Sequence, residues 1–176
     1  IGKIINYVKD NFTLSNDAEI TLEANPGASD RIKFEGYRKV GVNRLSIGVQ
    51  TTQDHLLAKL GRAHSGHEAI NALSEAKKIF DNINVDLMFA LPGQQIDELR
   101  RDLSGVLEFV PEHLSIYQLT IEPNTWFYRY PPKLPDDDLA SEMQFEIESI
   151  VNECGYDQYE VSAFSKPDRQ CSHNIN

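Results

Sequence analysis

Three short runs in this chain put apolar side chains on one face of an extended segment and small or polar ones on the other. In RLSIGVQ (44–50), Leu45, Ile47 and Val49 fall on one side while Ser46, Gly48 and Gln50 fall on the other, because side chains alternate along a strand. EITLEA (19–24) opposes Ile20 and Leu22 to Glu19, Thr21 and Glu23, and INVDLMF (83–89) opposes Ile83, Val85 and Leu87 to Asn84, Asp86 and Met88. A strand buried on both faces of a doubly wound sheet reads as apolar throughout. These runs need helices on one side only and room for polar groups on the other.

The helices are present. Apolar residues recur at helical spacing in Ile1, Ile4, Ile5, Val8 and Phe12, in Ile70, Leu73, Ala76 and Phe80, in Ile96, Leu99, Leu103, Val106, Leu107 and Val110, and in Leu139, Met143, Ile147, Ile150 and Val151. A further helix is expected over 29–39, where Ile32, Phe34 and Tyr37 precede the stop signal Gly41. With HLSIYQLT (113–120) as a fourth strand, the order is helix, then β, α, β, α, β, α, β, which implies parallel strands joined by crossover helices. A closed or partly closed α/β barrel with a polar interior explains the one-sided strands, and four strands alone cannot close it. The chain therefore reads as a barrel segment without its first strands. PNTWFYRYPPKLPDDD (123–138) reads as a loop leaving the barrel, Asp136, Asp137 and Asp138 as the cap and first turn of a helix, and YDQYEVSAFS (156–165) as an exposed or edge strand.

Composition excludes several partners. The 176 residues carry 17 Lys+Arg against 27 Asp+Glu, a net charge of −10 with no basic cluster, which argues against nucleic acid and anionic membrane surfaces. No apolar run reaches the ~18 residues of a membrane span. The first residues lack the apolar core and cleavage site of a signal peptide, so a cytoplasmic location is expected. Cys154 and Cys171 form no CxxC pair, and His55, His64, His67, His113 and His173 show no zinc-type spacing with them.

In a parallel barrel the strand ends converge, so Glu23, Gln50 and Asp86 are expected at one mouth. Carboxylates and an amide there can accept from ribose hydroxyls, an amino group or adenine. Asp86, between Val85 and Leu87, needs a partner or solvent, and Arg62 in LGRAH can pair with it or with a ligand carboxylate.

EITLEANPG, GVNRLSIGVQ, LGRAH, NVDLMFALPGQ, HLSIYQLTIEPNT, LPDDD, GYDQYEVSAF and C-x-HN occur in this order. Together they resemble the oxygen-independent coproporphyrinogen III oxidase-like branch of the radical S-adenosylmethionine (SAM) enzymes, and within it the heme-chaperone group. The resemblance implies a partial (β/α)₆ TIM-like barrel over 1–125, lacking its first strands and cluster motif, and a linker with the beginning of a smaller C-terminal α+β domain over 126–176. It also implies SAM, a 4Fe-4S cluster and heme as cofactors or cargo. By the resemblance, Glu23 contacts SAM, Gln50, Arg62 and Asp86 line a second SAM pocket, and His173 with Asn174 begins a motif associated with heme binding. The three cluster cysteines of the family are missing, so they are expected upstream, and the fragment as written holds no cluster. Two functions follow as expectations: a heme carrier that delivers heme to an acceptor protein, or an oxidase that decarboxylates porphyrinogen propionates.

Overall fold

The one-sided strands assemble into a single sheet with its helices against the apolar face. In a computed structural model, which describes residues 1–27 and 30–175, the chain runs α1 (Gly2–Asn11), β1 (Thr21–Ala24), α2 (Asp30–Val40), β2 (Arg44–Gln50), α3 (Asp54–Lys59), α4 (Gly66–Lys77), β3 (Ile83–Phe89), α5 (Ile96–Leu107), β4 (His113–Gln118), α6 (Trp126–Arg129), α7 (Asp137–Glu153), β5 (Asp157–Glu160), β6 (Ala163–Ser165) and α8 (Ser172–Ile175). The strand order is β1-β2-β3-β4-β6-β5. The pairings β1 to β2, β2 to β3 and β3 to β4 are parallel, and those of β6 with β4 and β5 are antiparallel. This is the expected α/β segment of a TIM-like barrel, four parallel strands with crossover helices, and the sheet does not close on itself.

Leu45, Ile47, Val49, Val85, Leu87, Leu114 and Ile116 pack in one core with Ala69, Leu73 and Ala76 of α4, Leu99, Leu103 and Val106 of α5, and Met143, Ile147 and Val151 of α7. Helix starts are set locally. Ser65 accepts from the Glu68 backbone N–H while the Glu68 carboxylate accepts from that of Ser65, a reciprocal cap that fixes α4. Asp136 caps α7 by accepting from Leu139 N–H at 2.9 Å. Gly66 opens α4 against the Thr52 backbone, where a Cβ would come within 1.9 Å of the Thr52 carbonyl oxygen, so only glycine fits there.

The helix expected over 29–39 is α2, position 29 lying outside the described residues. Three other expectations change. β2 leads to β3 through two helices rather than one. The extra helix, α3, has six residues, too few to show a period. The segment read as a loop contains α6, a single turn capped by the Thr125 hydroxyl. The run 156–165 is a hairpin: β5 is its outer strand, while β6 is buried and pairs with β4.

Asp102 on α5 is 1% exposed and ties the segment after β2 to the helix layer. Its carboxylate accepts from the Thr51 hydroxyl at 2.7 Å, the Thr52 N–H at 2.8 Å, the Thr52 hydroxyl at 2.6 Å and Gln53 Nε2 at 3.1 Å. Hydrogen bonds to a charged group are worth about 1.5–3 kcal/mol each, and a buried donor left unpaired costs about as much again. Asp102→Ala is expected to lower unfolding free energy by about 3 kcal/mol or more in urea titrations, with a smaller loss for Asp102→Asn, which keeps one acceptor.

Candidate functional site

Opposite the helices, the polar face of the sheet forms a concave surface layered along the strands. Strand register puts Thr21 beside Arg44, Glu23 beside Ser46, Ser46 beside Asn84, Asn84 beside His113, Gly48 beside Asp86 and Asp86 beside Ser115. Two cavities lie on this face. One, of about 590 Å³, is lined by Glu23, Ala24, Asn25, Gly48, Gln50, Arg62, Asp86, Ser115 and Tyr117. The other, of about 570 Å³, lies toward the strand starts and is lined in part by Arg44, His113, Cys171, His173 and Asn174. Glu23, Asp86 and Ser115 line both.

The first cavity gathers the four residues singled out in the sequence. Gln50 has φ 66°, and the β2 to β3 register shifts between Gly48 and Gln50. The Gln50 amide lies over Gly48: a Cβ there would sit 2.9 Å from Gln50 Nε2 and 3.3 Å from Asn25 Oδ1. The Tyr117 hydroxyl donates to Gln50 Oε1 at 3.1 Å. Arg62 does not bridge to Asp86; it donates to Asn25 Oδ1 at 3.3 Å and makes no ion pair among the described residues. Glu23 is exposed and has no side-chain hydrogen bond among them. Burial raises the Asp86 carboxyl above the usual range against the opposing hydrogen bonds of Asn84 and Ser46, and the Glu23 charge adds to the rise.

A hydrogen-bonded chain crosses the second cavity. His113 Nδ1 lies 2.6 Å from Asn84 Oδ1. An amide oxygen only accepts, so Nδ1 carries the proton and Nε2 accepts from the Tyr159 hydroxyl at 2.5 Å. Tyr159 in turn accepts from the Cys171 N–H and from Asn174 Nδ2, each at 3.1 Å. Asn84 Nδ2 donates to Asp86 Oδ1 and to Ser46 Oγ, both at 2.7 Å, and Ser46 donates to Asp86 Oδ2 at 3.1 Å. Burial, with a smaller contribution from the Arg44 cation, pushes the His113 imidazole down to about 3. Sequence reasoning missed His113, Tyr159 and Arg44. His113 and Arg44 were findable, because each falls on the polar side of its strand's alternation.

The Radical SAM superfamily model matches residues 2–104. The chain belongs to the radical SAM superfamily. It is 45% identical over 174 residues to "Heme chaperone HemW" of Escherichia coli (strain K12), covering 98% of this chain and 46% of that protein. The protein of the same name from Buchnera aphidicola subsp. Acyrthosiphon pisum (strain APS) is 42% identical over 176 residues, 100% of this chain and 47% of the relative. The chain thus spans about half the length of the curated relatives it matches. Among solved structures, the coproporphyrinogen III oxidase HemN from Escherichia coli superposes with TM-score 0.84 at 26% identity, over 94% of this chain and 39% of that one. Methylornithine synthase PylB, at TM-score 0.65 and 16% identity over 86% of this chain and 42% of that one, shares the fold.

For a radical SAM protein the cavity chemistry divides clearly. SAM presents hydroxyls, an amino group and a carboxylate, and the unpartnered Glu23 with the ion-pair-free Arg62 fits that set. A cluster has no comparable seat: no three His, Cys, Asp or Glu gather as metal ligands among the described residues. Cys154 ends α7 in solvent, and Cys171 is buried beside Glu19.

The neutral His113 has a consequence for pH. Its folded value of about 3 lies below the unfolded 6.5. Between these values the unfolded chain holds a proton that the folded chain lacks, so this contribution is complete above 6.5 and is lost as pH falls, by up to about 1.4 kcal/mol per unit. Asp86, raised on folding, has the opposite sign, since protonation relieves its burial. Urea unfolding measured from pH 7 to 4.5 should therefore fall less steeply in His113→Gln than in the wild type.

Proposed function

We propose that this chain is the barrel segment of a heme-chaperone-type radical SAM protein, in which the polar mouth holds SAM and the C-terminal segment contacts heme for delivery to an acceptor protein. The observation that carries the reading is the 42–45% identity to heme chaperones along essentially the whole chain, against 26% to the oxidase. Residues 1–125 are the barrel unit, and 126–176 are the linker and the beginning of the family's C-terminal domain. Glu23 and Asp86 accept hydrogen bonds from SAM, Gln50 supplies an amide, and Arg62 a cation for a carboxylate. SAM supplies radical chemistry when bound beside a reduced 4Fe-4S cluster, whose ligands lie outside this chain. No helix of the described residues is long and apolar enough to cross a membrane. The net charge of −10 disfavours nucleic acid as a partner.

His173 and Asn174 line the second cavity next to Cys171, and the exposed His173 imidazole is the proposed heme contact. The resemblance to HemN keeps oxidase activity as the rival reading. In full-length protein, heme titration followed by absorbance should give about one heme per chain, and His173→Ala should weaken binding or change the spectrum. Efficient anaerobic conversion of coproporphyrinogen III to protoporphyrinogen IX would overturn the carrier reading.

Asp86→Asn should weaken SAM binding about tenfold, at the low end of the loss of a charged hydrogen bond because Asn keeps one acceptor. A lowered melting temperature with unchanged SAM affinity, measured by equilibrium dialysis, would make Asp86 part of the scaffold instead.

A further inference from the structure

Among the described residues, Arg44 is the one buried Lys or Arg. It shares the polar side of β2 with Ser46, Gly48 and Gln50, and it is 4% exposed. Its guanidinium makes no ion pair and no side-chain hydrogen bond among the described residues, and its Nε is fully enclosed with no partner. The carboxylates that line the same cavity do not satisfy it. Asp86 is occupied by Asn84 and Ser46, and Glu23 makes no bridge to it. A buried arginine without a counter-charge is a costly arrangement, because desolvation is not offset by attraction.

We propose that Arg44 is the seat of a ligand carboxylate in the cavity of about 570 Å³. The planar guanidinium fork matches a carboxylate in two parallel hydrogen bonds, which a lysine cannot do. A singly charged carboxylate fits better than a phosphate dianion, since Glu23 and Asp86 line the same space and would repel the second charge. The neutral His113 beside it adds no competing cation. Two sources share this chemistry, a propionate of the tetrapyrrole and the aminoacyl carboxylate of a SAM molecule other than the one whose carboxylate Arg62 holds, and naming them rests on the function proposed above.

The seat itself is tested without either ligand. Sodium propionate titrated into ¹⁵N-labelled full-length protein should shift the Arg44 Nε–H resonance saturably, with no such shift from sodium chloride at equal ionic strength. Absence of a saturable shift overturns the proposal, whatever becomes of the heme and SAM readings. The source is then read in two arms. If it is a propionate, Arg44→Gln weakens heme binding about tenfold to a hundredfold and leaves binding of heme dimethyl ester, whose propionates are blocked, within about twofold. If it is SAM, the same variant weakens SAM binding by that factor and spares heme. Arg44→Lys, which keeps the charge without the fork, should fall between wild type and Arg44→Gln, and it decides the matter if the glutamine variant does not fold. Heme and SAM affinities both within about twofold of wild type in the folded variants would overturn the proposal as well. A seat, unlike a scaffold arginine, also predicts that Arg44→Gln does not lower the melting temperature of the ligand-free protein, since it removes an unpaired buried charge.

Discussion

Asn84 is the junction on which the polar half of this sheet depends. Its carbonyl accepts from His113 and Ser115, and its amino group donates to Ser46 and Asp86, so one neutral side chain serves partners on β2, β3 and β4. Unlike a buried ion pair, such a group satisfies its neighbours without adding a charge of its own. Its two donors and its carbonyl let Asp86 stay within the sheet as a half-buried acid and fix the tautomer of His113. An apolar residue at 84 would strand four partners at once.

That junction is possible because the helices cover only one side. Leu45, Ile47, Val85, Leu87, Leu114 and Ile116 meet α4, α5 and α7, and this burial is the main driving force for the sheet. The opposite face is then free to carry groups that a sheet covered on both sides would exclude. Parallel pairing does the rest. It brings equivalent positions of successive strands side by side, so that Glu23, Gln50 and Asp86, distant in sequence, line one cavity. The bulge at Gly48 and Gln50 turns the last amide of β2 over the face, and the absence of a side chain at 48 leaves it room.

What the sequence made legible follows the same physics. β2 and β3 coincide with the runs read at 44–50 and 83–89, because Leu45, Ile47 and Val49 and Ile83, Val85 and Leu87 alternate along them. Of the four residues that line the first cavity, Glu23 and Gln50 stand out as a charge and an amide near strand ends, Asp86 as a charge inside an apolar strand, and Arg62 by its place in the LGRAH segment. Arg44 and His113 lie at strand starts and pass for boundary residues, and their importance comes from what fails to neutralise the first and what surrounds the second. α3 and α6 are shorter than the window over which a helical period can be seen. YDQYEVSAFS reads as one strand because its alternation runs through the turn between β5 and β6. Nothing local announces that Cys171 returns to Glu19, a contact across most of the chain.

That return joins the two cavities. Tyr159 holds the Cys171 backbone and Asn174 from one side and His113 from the other, while His113 holds Asn84, and Asn84 holds Asp86. Each link has a fixed donor and acceptor, so reversing one would leave a buried group unpaired somewhere along the line. Protonating His113 is the clearest case. Nε2 would become a donor facing Tyr159, whose hydroxyl already accepts from two N–H groups and would lose the acceptor for its own proton. The neutral imidazole is therefore the form that matches every donor to an acceptor between the C-terminal segment and Asn84, and the burial that lowers its pKa favours that form.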